Sequence, residues 1–225
     1  MSSTNDEYSW RLLRVDLSRE KISEEEIEES TFKNYLGGAG LGIKILYDEV
    51  PPNTAWSDPK NRLILASGPL GGTVIGGSGT FCVTTKGPLT NGVASVQANG
   101  YFGAFLRFCG YLGVIIQGAS KDSLYLYIKD GEAELRDASK LSGKGTYETE
   151  DAIRNELNKR ERQLSVVSIG PAGENLVKFA GIFSDKGHSA SHNGPGAVMG
   201  SKKLKAIAVE RGKRRVLVKN KRSLR

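Results

Sequence analysis

The stretch LYLYIKDGEAELRDA, residues 124–138, decides more about the fold than any other part of this sequence. It consists of two runs in which apolar and polar residues alternate, joined by the pair Asp130-Gly131. Both residues of that pair tolerate the positive φ angles of a tight type I′ turn. Because alternation at a period of two residues is typical of strands, the stretch predicts a β-hairpin.

Strands and helices are also predicted on the N-terminal side of this hairpin. The opening WRLLRVDLSREKIS, residues 10–23, alternates like two strands joined by a turn, and Thr31 is placed to cap a helix. The glycine-rich residues 37–40 lead into a periodic run that Pro51 ends, as expected of a second helix. This side of the chain therefore mixes both kinds of element.

Further segments give the fold class. Short apolar runs between residues 61 and 98 predict strands, and residues 101–109 predict a core-facing helix. Residues 146–159 predict an exposed amphipathic helix with a near capping box, and residues 164–210 predict strands, a loop and one short helix. The segment count favours a strand-rich α+β or α/β fold with mixed pairing over a doubly wound sheet.

The charge of the chain is concentrated at its C-terminal end. The formal net charge is +7, but residues 211–225 hold eight Lys or Arg and no acid, which leaves 24 basic and 25 acidic residues elsewhere. We therefore expect a domain over 1–210 followed by a basic tail or truncated linker over 211–225. A nucleic-acid role for this tail is disfavoured; it would predict salt-sensitive binding that is lost when the tail is deleted.

Cysteine use and hydropathy point to the cytoplasm. Cys82 and Cys109 lie in apolar surroundings without a CxxC motif, so buried thiols are favoured over a disulfide or a metal pair. The first ten residues lack the features of a secretory signal. The charge-free run 63–85 contains six glycines and Pro69, which argues against a membrane helix.

Two glycine-rich regions carry the candidate chemistry. The first glycine-rich region, residues 63–106, has ten glycines and a single charged residue, Lys86. It fits either a buried strand layer or a backbone that approaches a ligand closely. The second glycine-rich region, residues 187–200, combines both histidines of the chain with serines and an asparagine before a predicted helix, and such a helix start suits phosphate oxygens.

The histidines of the second glycine-rich region admit three interpretations. His188 and His192 are spaced to share a helix face, but only Asp185 lies nearby as a further ligand, which makes a metal site the weakest of them. Hydrogen bonding or proton transfer beside an anionic ligand fits histidine better. Two loop histidines in solvent remain the third interpretation.

Four segments together resemble one known family. They are KGPLTNG (86–92), NGYFGA (99–104), IGPAGENLVKFA (169–180) and GAVMGSKKLKAIAV (196–209). In this order they resemble the N-terminal domain of the aldehyde ferredoxin oxidoreductase family, and the resemblance extends to about Glu210. It implies an α+β fold of two β-sheets with flanking helices.

The resemblance also implies a cofactor and the residues that hold it. The family's domain is the base for a bis-pterin tungsten or molybdenum cofactor, with magnesium bridging the pterin phosphates. Of the residues that the resemblance implies, Gln97 and Ser189 are the candidate magnesium ligands. The full set of candidate cofactor-binding residues is Thr80, Gln97, Asn99, His188, Ser189, Ser191 and Asn193.

Three of these positions depart from the family pattern. Arginine is usual at the positions of Thr80 and His188, and asparagine at that of Gln97. Loss of two arginines removes fixed charges that would pair with phosphate or tune a cluster. The combination is more similar to the branch that contains tungsten-dependent benzoyl-CoA reductase subunits.

The family's [4Fe–4S] cluster has no ligand set here. Its four cysteine ligands exceed the two cysteines of this chain, so C-terminal domains or a separate subunit must carry the cluster. The expected function is an oxidoreductase acting on aldehyde or oxo groups with ferredoxin as acceptor, incomplete and inactive as this chain alone. A homodimer is a further candidate assembly, and a non-catalytic remnant or partner-binding module is the alternative of a different class.

Overall fold

Two mixed β-sheets pack face to face in the part of the chain described by the computed structural model, residues 10–218, 220 and 222–224. The first sheet has the order β2-β1-β6-β3-β4-β5, and only its β1–β6 pair is parallel. Its strands are β1 (Arg11–Asp16), β2 (Lys21–Glu26), β3 (Leu63–Ala66), β4 (Phe81–Lys86), β5 (Val93–Ala98) and β6 (Gly113–Gln117).

The second sheet has the order β11-β10-β9-β12-β7-β8, and only its β12–β7 pair is parallel. Its strands are β7 (Leu124–Lys129), β8 (Glu132–Asp137), β9 (Leu164–Ser168), β10 (Ile182–Ser184), β11 (His188–Ala190) and β12 (Leu204–Glu210). The edge strand β11 contacts β5, the edge strand of the first sheet. The predicted fold class, two sheets of mixed pairing with flanking helices, is confirmed.

Six α-helices of the described residues surround or enter this pair of sheets. They are α1 (Glu29–Tyr35), α2 (Gly38–Glu49), α3 (Phe102–Phe108), α4 (Thr146–Glu156), α5 (Pro171–Glu174) and α6 (Pro195–Ser201). Helix α2 covers the outer face of the first sheet, and α4 covers the outer face of the second. Side chains of α3 and α6 join the central core between the sheets, so burial on both faces explains the continuous apolar strands.

The predicted hairpin at 124–138 is confirmed as β7 and β8. Asp130 and Gly131 have φ angles of 46° and 93°, as the type I′ turn requires. Successive side chains of β7 point to opposite faces of the sheet and enter two different cores: Leu126 packs between the two sheets, whereas Tyr125 packs toward α4. The Tyr125 hydroxyl donates a hydrogen bond of 2.5 Å to Glu156 Oε1, which satisfies its buried polar end.

Helix α4 begins at Thr146 as predicted, but it is not simply exposed. Its first turn is closed by Gly145 N–H, which donates to a Glu148 carboxylate oxygen at 2.8 Å. Glu150 and Arg154 are buried and form an ion pair of 2.6 Å. The helix is amphipathic as predicted, but part of its polar side is out of solvent, because the turn between β10 and β11 covers Glu150.

Two smaller expectations also differ from the structure. Helix α1 begins at Glu29, so Thr31 lies within it and does not cap it. Residues 171–174, expected as a loop, form the one-turn helix α5. Proline is tolerated at its first position, Pro171, because an N–H group there would have no hydrogen-bond partner within the helix.

The cysteine prediction is confirmed. Both thiols are free and buried, and burial raises the pKa of the Cys109 thiol to about 11. Within the described residues, no helix is long and apolar enough to cross a membrane. After β12 the backbone stays beside the domain, where Arg214 N–H donates to Phe108 O at 3.2 Å.

Candidate functional site

A cleft of about 520 Å³ opens between the start of α2, the loop after β3 and strands β4 and β5. None of its lining residues is Asp, Glu, Lys, Arg or His. Seven glycines form much of its wall: Gly37, Gly38, Gly40, Gly68, Gly71, Gly76 and Gly77. A wall of glycine and apolar side chains exposes backbone amides to a ligand, because no Cβ atoms stand in front of them.

The start of α2 forms one side of the cleft. Leu36, Gly37 and Gly38 have successive positive φ angles of 61°, 139° and 48°, and Gly38 N–H donates to Ser67 O at 2.9 Å. A Cβ on Gly37 would lie 2.7 Å from that same oxygen. The first N–H groups of a helix lack intrahelical partners, and they favour negative charge. Sequence reasoning identified these glycines as a helix start but missed their place in the cleft.

The predicted residues of the first glycine-rich region come together at this cleft. Thr80 and Gln97 line it, and Thr80 Oγ1 donates to Asn99 Oδ1 at 3.0 Å. The backbone behind them is closely packed, because a Cβ on Gly79 would lie 1.8 Å from Gly100 O. Gly79 O also accepts a hydrogen bond of 2.9 Å from Gly103 N–H. Glycine therefore lets two backbone segments meet directly below the predicted residues.

The predicted residues of the second glycine-rich region lie on and after β11, outside the lining of the cleft. His188, Ser189 and Ser191 are exposed, and their side chains form no hydrogen bond with any other described residue. His188 lies on a strand and His192 in the loop that follows, so they share no helix face. No cluster of three or more His, Cys, Asp or Glu in the described part of the chain could hold a metal ion.

Asn193 has a different environment from its neighbours. Its Oδ1 accepts hydrogen bonds from Leu89 N–H at 3.0 Å and Thr90 N–H at 3.1 Å, and its Nδ2 donates to Thr90 Oγ1 at 2.8 Å. A Cβ on Gly87 would lie 2.4 Å from Asn193 O. The Asn193 side chain thus joins the second glycine-rich region to the turn between β4 and β5.

A second junction lies on the other side of β5. Asp185, in the turn between β10 and β11, accepts a hydrogen bond of 2.6 Å from Tyr101 N–H at the start of α3. Lys186 N–H in the same turn donates to Glu150 Oε2 at 2.9 Å, and burial raises the pKa of the Glu150 carboxyl. The second glycine-rich region and the turn that leads into it are therefore attached to the first region at two points, one near each end of β5.

Comparison with known proteins places this arrangement in a family. The family model "Aldehyde ferredoxin oxidoreductase, N-terminal domain" matches residues 12–211. Tungsten-containing aldehyde ferredoxin oxidoreductases of Pyrococcus furiosus and Thermococcus kodakarensis are 47% and 48% identical over 90% and 91% of this chain. An aliphatic sulfonate oxidoreductase, WOR-like subunit, of Pyrococcus furiosus is 38% identical over 89% of this chain and 34% of its own length.

A solved structure agrees with the sequence comparisons. The active-site complex BamBC of benzoyl-coenzyme A reductase, solved with 1,5-dienoyl-CoA, has a chain that superposes with a TM-score of 0.88 and 40% identity, covering 91% of this chain and 31% of that one. The present chain spans about a third of the two tungsten-containing relatives, 33% of each. By sequence and by fold, the chain belongs to the aldehyde ferredoxin oxidoreductase family and corresponds to its N-terminal domain.

Proposed function

We propose that this domain holds the bis-pterin tungsten or molybdenum cofactor of an oxidoreductase that acts on aldehyde or oxo groups. The proposal rests on one observation: a cleft walled by glycine and lined by no charged side chain lies next to β11. The polar side chains of His188, Ser189 and Ser191, on and after β11, are exposed and have no hydrogen-bond partner among the described residues. When bound, the metal and its pterins supply the two-electron chemistry, while the protein supplies binding, orientation and electrostatics.

The cleft fits the flat, polar rings of a pterin. Its glycines leave backbone N–H and C=O groups accessible, and the Thr80 hydroxyl and Gln97 amide lie among them. Without charged side chains in the lining, the electrostatic preference of the cleft comes from the N–H groups at the start of α2, and ring recognition falls to backbone groups and these two side chains.

The second glycine-rich region suits the phosphate groups of the same cofactor. Its exposed hydroxyls and imidazole, on Ser189, Ser191 and His188, are donors without an internal partner among the described residues. We assign magnesium binding to the Gln97 and Ser189 oxygens, in company with phosphate oxygens, because Mg²⁺ takes oxygen ligands and commonly few protein groups. Asn193, whose amide is already engaged, contributes by fixing the loop rather than by direct contact.

The electron-transfer cluster belongs elsewhere in the assembly. With two cysteines, both buried, this chain cannot supply four thiolates to a [4Fe–4S] cluster. We assign the cluster to C-terminal domains or a separate subunit, with a ferredoxin as electron acceptor. The buried free thiols fit a cytoplasmic location, where thiols stay reduced.

A benzoyl-CoA-reductase-like activity is the second candidate. The 40% identity to a chain of the BamBC complex favours it, as do Thr80 and His188 at positions where arginine is usual in aldehyde oxidoreductases. Comparing turnover of simple aldehydes with reduction of an aromatic CoA thioester by the complete assembly separates the two candidates.

The proposal is tested by chemical analysis of the protein purified without oxygen, after co-production with the products of neighbouring genes and with tungstate and molybdate supplied. We expect tungsten or molybdenum together with about two pterins per chain, and lower contents in Ser189→Ala and Gln97→Ala variants. Ser139→Ala, an exposed serine far along the chain from both regions, is the control. A folded assembly that contains neither metal nor pterin would contradict the proposal.

A further inference from the structure

The turn between β10 and β11 is held in an unusual backbone conformation. Asp185, Lys186 and Gly187 have successive φ angles of 46°, 54° and 132°. Positive φ is uncommon for residues other than glycine and persists where surrounding contacts enforce it. Since His188 and Ser189 follow directly, the conformation of this turn sets where their side chains stand.

The Asp185 carboxylate supplies most of those contacts. Its oxygens accept hydrogen bonds from Ser165 Oγ at 2.8 and 2.9 Å, Ser184 Oγ at 3.1 Å and Val166 N–H at 3.3 Å, all within the second sheet. The bond of 2.6 Å from Tyr101 N–H is the exception, because Tyr101 belongs to the first glycine-rich region. One carboxylate thus connects the first region to the turn that leads directly into the second.

The first glycine-rich region is shaped to receive this carboxylate. Gly100 has a φ of 109°, and a Cβ at this position would lie 2.4 Å from Asp185 Oδ2. Only glycine therefore brings the backbone at 100–101 close enough for the hydrogen bond to form. The positions of Asn99, one residue earlier, and of Gln97, near the end of the edge strand β5, depend on where this backbone lies.

The far side of the turn is fixed independently. The Tyr147 hydroxyl donates to Lys186 O at 3.1 Å, and Lys186 Nζ pairs with Asp151 at 2.6 Å. Glu150 holds the Lys186 N–H from the buried face of α4. Because α4 holds the turn in place, Asp185 has a fixed position, and its hydrogen bond in turn fixes the backbone at Tyr101.

We infer that Asp185 is a positioning residue, which sets the separation of Gln97 and Asn99 from His188 and Ser189. The inference rests on the proposed function, because it gives this separation its use in holding one cofactor across two regions. Asp185 itself faces Tyr101 and Ser165, so its effect on a ligand is transmitted through the backbone.

The test replaces Asp185 by asparagine, which keeps the shape but turns an amide donor toward existing donors. Amide hydrogen exchange of the full chain should accelerate about tenfold at Tyr101 and across 188–191, as expected for loss of a hydrogen bond to a charged group. Asp151→Asn, which removes one carboxylate charge from the same turn without touching either glycine-rich region, should leave exchange at Tyr101 unchanged. Ser165→Ala carries the same test if Asp185→Asn does not fold.

The holoprotein gives the second readout. Asp185→Asn should retain less tungsten and pterin and should change the tungsten(V) EPR signature, whereas Asp151→Asn should match wild type in both. Unchanged exchange at Tyr101 in Asp185→Asn, or equal effects in the two variants, would overturn the inference. If exchange is faster in Asp185→Asn but the wild-type protein never binds metal or pterin, the link between the regions is supported and the proposed function is overturned.

Discussion

The two glycine-rich regions present themselves to a ligand in opposite ways. In the first, glycines allow backbone segments to contact each other directly; a Cβ on Gly79, for example, would lie 1.8 Å from Gly100 O. The cleft that this region lines has no charged side chain. The second follows a turn with positive φ at Asp185 and Lys186, and its strand β11 carries exposed polar side chains. One region offers backbone groups and the other offers side chains.

The two regions therefore suit the chemically distinct halves of a single cofactor. Flat rings need a close wall and amides in fixed directions, whereas phosphates need donors that approach from the side. Packing of β11 on β5 and of α6 on β4 joins the regions, and two side chains add hydrogen bonds to the first region: Asp185, just before the second region, and Asn193 within it. Substitutions should therefore affect stability in the first region and ligand retention in most of the second.

The largest effect is expected in the backbone contact of the first region. Gly79→Ala would place a Cβ 1.8 Å from Gly100 O, so either segment must move, and we expect the free energy of unfolding to fall by about 3 kcal/mol or more. Urea denaturation of the full chain measures it.

Gly76→Ala is the matched control, because a Cβ there meets nothing within 4 Å although Gly76 lines the same cleft. Its free energy of unfolding should stay within about 0.5 kcal/mol of wild type. Equal losses in both variants would show that close backbone approach is not what the first region requires.

An intermediate effect is expected at Asn193. Asn193→Ala removes three hydrogen bonds and places alanine at a φ of 61°, so we expect the free energy of unfolding to fall by roughly 2 kcal/mol. Asn193→Gly keeps the backbone conformation accessible, and it therefore separates the hydrogen-bond contribution from the strain contribution.

Ser191→Ala sharpens the comparison within the second region. Its hydroxyl is exposed and without a partner among the described residues, so unfolding should change by less than about 0.5 kcal/mol while metal and pterin contents fall. If thermal melting shows Ser191→Ala to be as damaging as Asn193→Ala, the division of roles within this region is wrong.

A pH dependence of stability is expected at Lys202, which follows α6 and whose side chain reaches residues beside β3 and β6 of the first sheet. Its ammonium donates to Asn61 O at 2.7 Å and Gly118 O at 3.0 Å, and burial lowers its pKa from 10.5 to about 7. The unfolded chain keeps this proton to higher pH, so stability should rise as pH increases from 7, by at most about 1.4 kcal/mol per pH unit, the limit for a single proton.

Lys202→Met should abolish this rise between pH 7 and 8.5, whatever its effect on absolute stability. Chemical denaturation at several pH values gives the slope for both proteins. The range stays below pH 9 because the Cys109 thiol, with its pKa raised from 9.0 to about 11, makes stability fall at higher pH. A slope that is the same in both proteins would contradict the role given to the buried amine.

Local sequence signals predicted much of the fold. The Asp130-Gly131 pair gave the hairpin its turn, and Pro51 marked the end of α2, because both signals act through the backbone of one or two residues. The two buried thiols followed from their apolar neighbours. Such features depend on short segments, which the sequence displays directly.

Contacts between distant segments were not predictable in this way. Gly37 and Ser67 meet at the cleft, and Asp185 reaches Tyr101 across the two sheets. The burial of Glu150 depends on a turn more than thirty residues further along the chain. No periodicity encodes which segments become neighbours, so the candidate residues were found by resemblance and the residues that position them only by the structure.

Anomalous X-ray scattering at the tungsten absorption edge, from crystals of the complete protein purified without oxygen, tests whether the metal lies between the two glycine-rich regions. We expect a single strong peak in front of the cleft that contains Thr80 and Gln97, on the side where β11 adjoins β5. A tungsten peak remote from both glycine-rich regions would contradict this account of the domain.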